Sequence, residues 1–271
     1  MKARAFGLLD VLDEGVEAVA AVAAPFLGLL WLTALPLRLA QAHFVFQVAQ
    51  LGGAAARHGN YLAELALLQV VLLLPWAWGR AVFVRACRLG LEGQAPGRAA
   101  LRVGALPFAG YVYVTALLEA LAWATAWTVV AVPLLVLMGA LAAATHAFIE
   151  RPGLLEPLRQ VFRHGTQALI LVGLLMVMGW ALLVAGVNLH FLYQAGVWLA
   201  GALPGIEPGR WRALVDIHNP RYWLVLVCGS VLAVEPYLLG AMTVYVHKLR
   251  ARSTGEDLRL WFERLRRGVA A

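Results

Sequence analysis

Residues 103–149 read VGALPFAGYVYVTALLEALAWATAWTVVAVPLLVLMGALAAATHAFI, with Glu119 as the single charged side chain. As one helix these 47 residues would be about 70 Å long, whereas a membrane core of about 30 Å needs only about 20 mostly apolar residues. The stretch therefore predicts two membrane spans. Pro133 marks the break, because proline disfavours helix in the residue before it. We place the spans at 103–127 and 131–149.

The composition of the whole chain indicates the same class. Of its 271 residues, 62% are hydrophobic and 14% are charged, against about 45–50% and about 25% in soluble domains. This excess of hydrophobic over charged residues excludes a soluble enzyme and a disordered protein. The two cysteines, Cys87 and Cys228, also exclude a secreted disulfide scaffold. The sequence predicts an all-α polytopic membrane bundle.

Four further stretches are apolar enough to cross a membrane. Together with the first two they predict six spans within a bundle over residues 18–246, preceded by an amphipathic helix at 1–17 and followed by a basic tail at 247–271. The six spans are 18–37, 62–84, 103–127, 131–149, 166–188 and 222–246.

The distribution of basic residues predicts the orientation. With six spans and an internal N-terminus, 17 lysines and arginines fall on the inside and 5 in external loops. This asymmetry obeys the positive-inside rule and predicts that both termini are cytoplasmic. The five residues assigned to external loops are Arg38, Arg57, Arg210, Arg212 and Arg221.

Residues 189–206 are a marginal seventh span. Counting them as a span would leave 13 lysines and arginines on the inside and 9 on the outside. We therefore interpret them as a re-entrant or interfacial helix on the outer face.

A possible internal repeat bears on the same segment. Pro-Gly pairs recur every 56 residues, at Pro96-Gly97, Pro152-Gly153 and Pro208-Gly209. If that spacing is a true repeat rather than coincidence, 189–206 corresponds to 133–150 and the seventh span is favoured.

Both ends of the chain are amphipathic. Residues 8–17 place four acids on one helical face and leucines and valine on another. The tail has an apolar stripe flanked by arginines. Such helices lie at the membrane surface or dock a cytosolic partner, and these alternatives are compatible. The docking candidates in the tail are Arg259, Trp261, Phe262, Arg264, Arg266 and Arg267.

No constellation of residues predicts catalysis. The only serines, Ser230 and Ser253, lack a nucleophile motif, and the seven scattered histidines show no metal-ligand spacing. No phosphate loop or dinucleotide-binding glycine pattern is present, so we expect no metal and no cofactor. The absence of an aromatic-basic motif argues against nucleic acid as a partner. We predict that the protein is not an enzyme.

Three acids inside spans, Glu64, Glu119 and Glu235, are the candidate functional residues, because a carboxylate there usually faces the bundle interior or water. Glu235 is expected about 20 Å below the outer start of its span. Glu119 is expected within roughly 6 Å of the outer edge, too far to share a proton with Glu235. Glu64 and Glu119 have comparable depths and could meet. Structural use inside the bundle and an ion-coupled carrier remain alternatives. Most tryptophans, including Trp76, are interpreted as interfacial belts.

Two stretches carry a family resemblance. One is Val234-Glu235-Pro236-Tyr237, followed by Tyr245, Arg250, Arg252 and Gly255-Glu256-Asp257-Leu258; the other is 85–102, with Gly93-Gln94-Ala95-Pro96 and Ala100-Leu101-Arg102. They resemble a bacterial polytopic inner-membrane family of uncharacterised function. That family is distantly similar to the membrane region of some glycerophosphodiester phosphodiesterases and is often encoded beside MoxR-type AAA+ ATPases. The phosphodiesterase domain is absent here, so that activity is not implied.

Together these patterns predict a multi-pass protein of the bacterial inner membrane that serves as a non-enzymatic subunit or scaffold. Its expected partners are the lipid bilayer and membrane or AAA+ ATPase-linked proteins, and it is a possible oligomer. The alternative is a small transporter or channel that uses the intramembrane carboxylates.

Overall fold

The protein is described by a computed structural model that covers residues 7–22, 24–51, 58–126, 165–203, 209, 212–213 and 215–254. Within these ranges the chain is helical and contains no strand, which confirms the all-α prediction. The helices are α1 (Leu8–Ala21), α2 (Ala24–Leu51), α3 (Gly59–Leu91), α4 (Arg98–Leu101), α5 (Ala105–Ala126), α6 (Gly165–Gly201) and α7 (Pro220–Thr254).

Four of these helices are long and apolar enough to cross a membrane. The qualifying segments are Ala24–Leu51, Gly59–Leu91, Leu169–Gly201 and Pro220–Ala251. The shortest has 28 residues, which corresponds to about 42 Å of helix and exceeds the membrane core of about 30 Å. These helices indicate a membrane protein.

The helix boundaries differ from several of the predicted span boundaries. Predicted span 18–37 contains the junction between α1 and α2, where Val22 is extended and Pro25 lies in the first turn of α2. The helix of predicted span 166–188 continues without a break to Gly201. The interfacial assignment of 189–206 stays a prediction, and span 131–149 lies outside the described residues.

Prolines inside the helices do not interrupt them. Pro36, Pro75 and Pro236 lie within α2, α3 and α7. Interior prolines are tolerated in membrane helices because neighbouring groups satisfy the freed backbone carbonyls.

The first Pro-Gly pair lies in the turn between α3 and α4. Helix α3 ends in a Schellman arrangement, in which Gln94 N donates to Leu89 O at 2.8 Å and Gly93 N donates to Gly90 O at 3.0 Å. Gly93 has a φ of 73°, a conformation that glycine adopts without strain. Helix α4 then begins directly after Gly97. The chain therefore makes a short turn here between α3 and α4.

The chain divides into two compact units. Unit 1 comprises Met1–Leu27, Arg80–Met176 and Tyr237–Ala271. Its described part contains α1, α4, α5 and segments of α2, α3, α6 and α7. Each of the longer elements contributes fully buried apolar side chains, among them Phe83, Tyr111, Leu174 and Tyr245.

In unit 1, α1 packs closely against α7 through small residues. A Cβ on Gly15 would lie 2.8 Å from Ala241 Cα, and one on Gly240 would lie 2.5 Å from Val19 Cγ2. The backbones therefore approach as in other membrane-helix contacts built on small residues. The buried face of α1 comprises Val11, Gly15 and Ala18.

Unit 2 comprises Gly28–Gly79 and Val177–Pro236. It contains most of α2 and α3, the C-terminal part of α6 and the first half of α7. Trp31 Nε1 donates to Leu232 O at 2.9 Å and thereby joins α2 to α7. Helices α6 and α7 meet at Gly229, where an added Cβ would lie 3.0 Å from Leu189 Cδ1. This unit holds the candidate site.

Candidate functional site

Three side chains from different helices converge on one point inside unit 2. Arg38 comes from α2, Trp76 from α3 and Glu235 from α7. Trp76 Nε1 donates to Glu235 Oε1 at 3.1 Å, and Arg38 Nη2 lies 4.0 Å from the same oxygen. The Arg38 guanidinium also lies over the Trp76 ring, with Cζ 4.8 Å from the ring centroid. We call these three residues the polar clamp, because they connect three helices.

The polar clamp is enclosed by packed apolar residues. Trp76 is fully buried, the Arg38 side chain is 13% exposed and the Glu235 side chain is 5% exposed. Trp76 forms a buried cluster with Ala34 and Leu37. Three leucines pack against that cluster: Leu72, Leu73 and Leu232.

The chemistry of the polar clamp follows from this enclosure. A buried carboxylate is stabilised by an opposite charge and by hydrogen-bond donors. At Oε1 of Glu235, Arg38 supplies the nearby charge and Trp76 Nε1 donates a hydrogen bond. Cation–π attraction to Trp76 adds to the stabilisation of the Arg38 charge. Removing one partner from a buried pair is costly, because it leaves the other charge without compensation. The arrangement fits a structural connection between helices better than a group that exchanges ions with solvent.

Two placements from the sequence analysis are wrong. Arg38 was assigned to an external loop, but it lies inside α2, which continues to Leu51. Trp76 was assigned to an interfacial belt, but it is fully buried and donates to Glu235. The charge count assumes that every arginine lies in water. The charge of Arg38 is instead compensated by Glu235, which is 197 positions further along the chain. One sequence signal could have identified it, since Arg38 is the only charged residue between Glu17 and Arg57.

The other predicted acids have different surroundings. Glu64 is exposed on α3 and belongs to unit 2, whereas Glu119 is partly buried on α5 and belongs to unit 1. Their suggested meeting stays a prediction. The docking candidates of the tail, from Arg259 to Arg267, lie outside the described residues.

The acidic face of α1 has a cationic partner within unit 1. Lys248 Nζ lies 2.5 Å from Glu14 Oε1, with side-chain exposures of 20% and 45%. This ion pair connects α1 to α7 next to the contact between Gly15 and Ala241. The apolar face expected from the sequence is partly open, since Leu9 is 72% and Val16 is 53% exposed.

A second polar group lies where α6 and α7 approach the connection between them. His190 Nδ1 is 2.8 Å from Tyr222 Oη, and Gln194 Nε2 donates to Val215 O at 3.1 Å. A cavity of about 540 Å³ includes His190 and Tyr222 in its otherwise mostly apolar lining. A cavity of about 590 Å³ lies on the other side of Tyr222. Both volumes are within the usual range of ligand pockets, about 300–1,000 Å³.

The connection before α7 has its own local order. The backbone N–H of His218 donates to Asp216 Oδ1 at 2.9 Å, and the imidazole Nδ1 lies 2.9 Å from the same oxygen. These hydrogen bonds, with the backbone bond as the larger cause, lower the pKa of the Asp216 carboxyl below its usual range. Asn219 Oδ1 accepts a hydrogen bond from Arg221 N at 3.0 Å, which orders the entry into α7.

Within the described ranges, no group of three or more histidine, cysteine or acidic side chains is arranged to hold a metal ion. No protein-family model, no curated protein and no solved structure gives a significant match to the chain.

Proposed function

We propose that this protein is a non-enzymatic integral membrane subunit or scaffold of a bacterial cell-envelope complex. It resides in the inner membrane with six spans and both termini in the cytoplasm. The charge asymmetry of the sequence supports this orientation. The four helices of membrane length support the multi-pass architecture.

One observation favours this function over transport. Glu235, the acid nearest the middle of its predicted span, is 5% exposed and interacts with both Trp76 and Arg38. A coupling carboxylate has to exchange protons or ions with water on alternate sides of the membrane. A carboxylate enclosed among packed leucines and tryptophan has a poor path for that exchange. Glu235 therefore serves to hold α2, α3 and α7 together.

The partner-binding surface is assigned to the C-terminal tail. Its arginines and aromatic residues form an amphipathic pattern that suits a cytosolic protein as well as a lipid surface. The resemblance to an inner-membrane family encoded beside AAA+ ATPases points to such an ATPase system as the partner class.

The test is affinity purification of the full chain from its native host in mild detergent, with stoichiometry measured by mass spectrometry. We expect a partner at near-integer stoichiometry. Deletion of residues 256–271 should leave membrane insertion intact and abolish recovery of that partner. A control variant that neutralises exposed Arg212 should recover the partner normally.

Two outcomes would contradict the proposal. Unchanged partner recovery after the deletion would exclude the tail as the docking surface. Recovery of the chain alone would favour the transporter alternative. Ion flux into liposomes would then be measured with Glu64, Glu119 and Glu235 neutralised one at a time.

A further inference from the structure

The first turns of α7 separate two cavities within unit 2. The cavity of about 590 Å³ lies between α6 and α7, and a second cavity of about 390 Å³ lies between α2 and α7. Arg221 and Val225 line both cavities. Because these residues are four positions apart, they lie on one face of the helix and form a ridge between the cavities.

The walls of the two cavities are mainly apolar. Leu192 and Val197 line the larger cavity, while Phe46 and Leu224 line the smaller one. Among the described residues lining either cavity, Arg221 alone carries a permanent charge. A ligand that fills these cavities therefore combines hydrocarbon with one region of negative charge.

Polar side chains without a permanent charge lie beside Arg221 on both sides of the ridge. Asn219 and Tyr222 accompany it in the larger cavity, and His43 and Gln47 accompany it in the smaller one. These groups can donate hydrogen bonds to phosphate or ester oxygens without adding a second fixed charge. The polar part of the ligand is therefore expected at the Arg221 end of the ridge.

An aromatic neighbour on α2 contacts the guanidinium of Arg221. Its guanidinium Cζ lies 4.6 Å from the centroid of the Phe46 ring, so cation–π attraction holds the side chain toward α2. Trp223 follows two positions later, is 52% exposed and donates from Nε1 to Ile217 O at 2.6 Å. Exposed tryptophans of this kind are typical of the headgroup level of a membrane. A tryptophan at that level would place Arg221 close to the phosphates of the surrounding lipids.

We propose that unit 2 binds an anionic two-chain glycerophospholipid, such as phosphatidylglycerol, across this ridge. The phosphate is held by Arg221, whose planar guanidinium can donate two hydrogen bonds to phosphate oxygens. One acyl chain lies in the cavity between α6 and α7, and the other lies in the cavity between α2 and α7. Two apolar cavities that share one cation match a two-chain lipid, because a fatty acid would fill only one of them.

The test is native mass spectrometry of the full chain purified in detergent, delipidated and titrated with dioleoyl lipids. We expect dioleoyl phosphatidylglycerol to bind about tenfold more tightly than dioleoyl phosphatidylcholine, because only the first carries a net negative charge. Arg221→Gln should bring the two lipids to about equal affinity. Arg212→Gln should keep the preference, since Arg212 is an exposed arginine of the same connection that lines neither cavity.

Two further arms examine the acyl chains and the source of the phosphate. Val225→Trp places a larger side chain on the ridge that lines both cavities while keeping Arg221, and it should weaken the binding of both lipids. Lyso-phosphatidylglycerol, which has one chain, should bind more weakly than the two-chain lipid because it leaves one cavity without hydrocarbon. Millimolar inorganic phosphate should not displace the bound lipid.

The contrary outcomes are specific. Equal loss of preference in Arg212→Gln would indicate nonspecific attraction to basic residues. Full preference in Arg221→Gln, equal binding of the one-chain lipid, or displacement by inorganic phosphate would each overturn the assignment. Circular dichroism melting of each variant establishes that it is folded before its affinity is compared.

Discussion

Replacing Glu235 by glutamine provides the most direct test of the polar clamp. The substitution keeps the shape of the side chain, and its amide oxygen can still accept the hydrogen bond from Trp76 Nε1. What disappears is the negative charge beside Arg38, whose side chain is only 13% exposed. The experiment therefore isolates the electrostatic part of the clamp.

The expected magnitude follows from the distance between the charges. At 4.0 Å between Arg38 Nη2 and Glu235 Oε1, an effective dielectric constant of about 20 gives an attraction of about 4 kcal/mol. Losing one member of a buried pair costs about 3–5 kcal/mol, because the remaining charge stays buried. We expect Glu235→Gln to lower the free energy of unfolding by about 3 kcal/mol, well above the average of about 0.6 kcal/mol for interhelical hydrogen bonds in membranes.

The measurement is equilibrium unfolding in mixed detergent micelles, followed by the fluorescence of the tryptophans. Arg38→Gln should cost a similar amount. The double variant Arg38→Gln/Glu235→Gln should lose less than the sum of the two single variants, with a coupling of about 1–3 kcal/mol. Glu64→Gln is the matched control, and since Glu64 is exposed it should change stability by less than about 0.5 kcal/mol.

Three results would refute this role for Glu235. Strict additivity in the double variant would show that the two charges do not interact. A Glu235→Gln protein as stable as the wild type would show that the charge contributes little to the fold. A stable, fully assembled variant that has lost ion-coupled uptake would indicate transport instead.

Two further predictions concern the packing of α1 in unit 1. Gly15→Leu should destabilise the protein by about 1–3 kcal/mol, because even a Cβ there would lie 2.8 Å from Ala241 Cα. Thermal unfolding in detergent measures this loss. The control is Gly179→Leu on α6, which should be close to neutral because a Cβ at Gly179 would meet no atom within 4 Å. Lys248→Glu should lower the free energy of unfolding by about 1 kcal/mol or less, because its partner Glu14 is 45% exposed and exposed ion pairs are weak. The charge-swapped double variant with Glu14→Lys should recover this stability. If it does not, the ion pair contributes nothing to the stability of the fold.

The sequence was sufficient for the class of the protein because membrane helices are specified by local composition. Any stretch of about 20 apolar residues can satisfy the hydrogen-bonding groups of its own backbone by forming a helix in lipid, whatever the rest of the chain does. The helical elements of 103–127 and 222–246 were foreseeable for that reason.

The exact ends of the helices were less foreseeable. The junction at Val22 lies inside a charge-free apolar run, so composition gives no signal for it. The end of α6 at Gly201 was also unclear from the sequence, because the charge count and the 56-residue spacing favour different interpretations of residues 189–206.

The candidate site depended on tertiary structure. By itself the sequence determined an apolar, helical, membrane-spanning chain with a rare acid, Glu235, near the middle of its last span. It could not pair that acid with Arg38 and Trp76, because the three residues are far apart along the chain and interact only after α2, α3 and α7 pack. The charge of Arg38 and the depth of Trp76 are set by these partners, and partners across helices are a property of the folded protein alone.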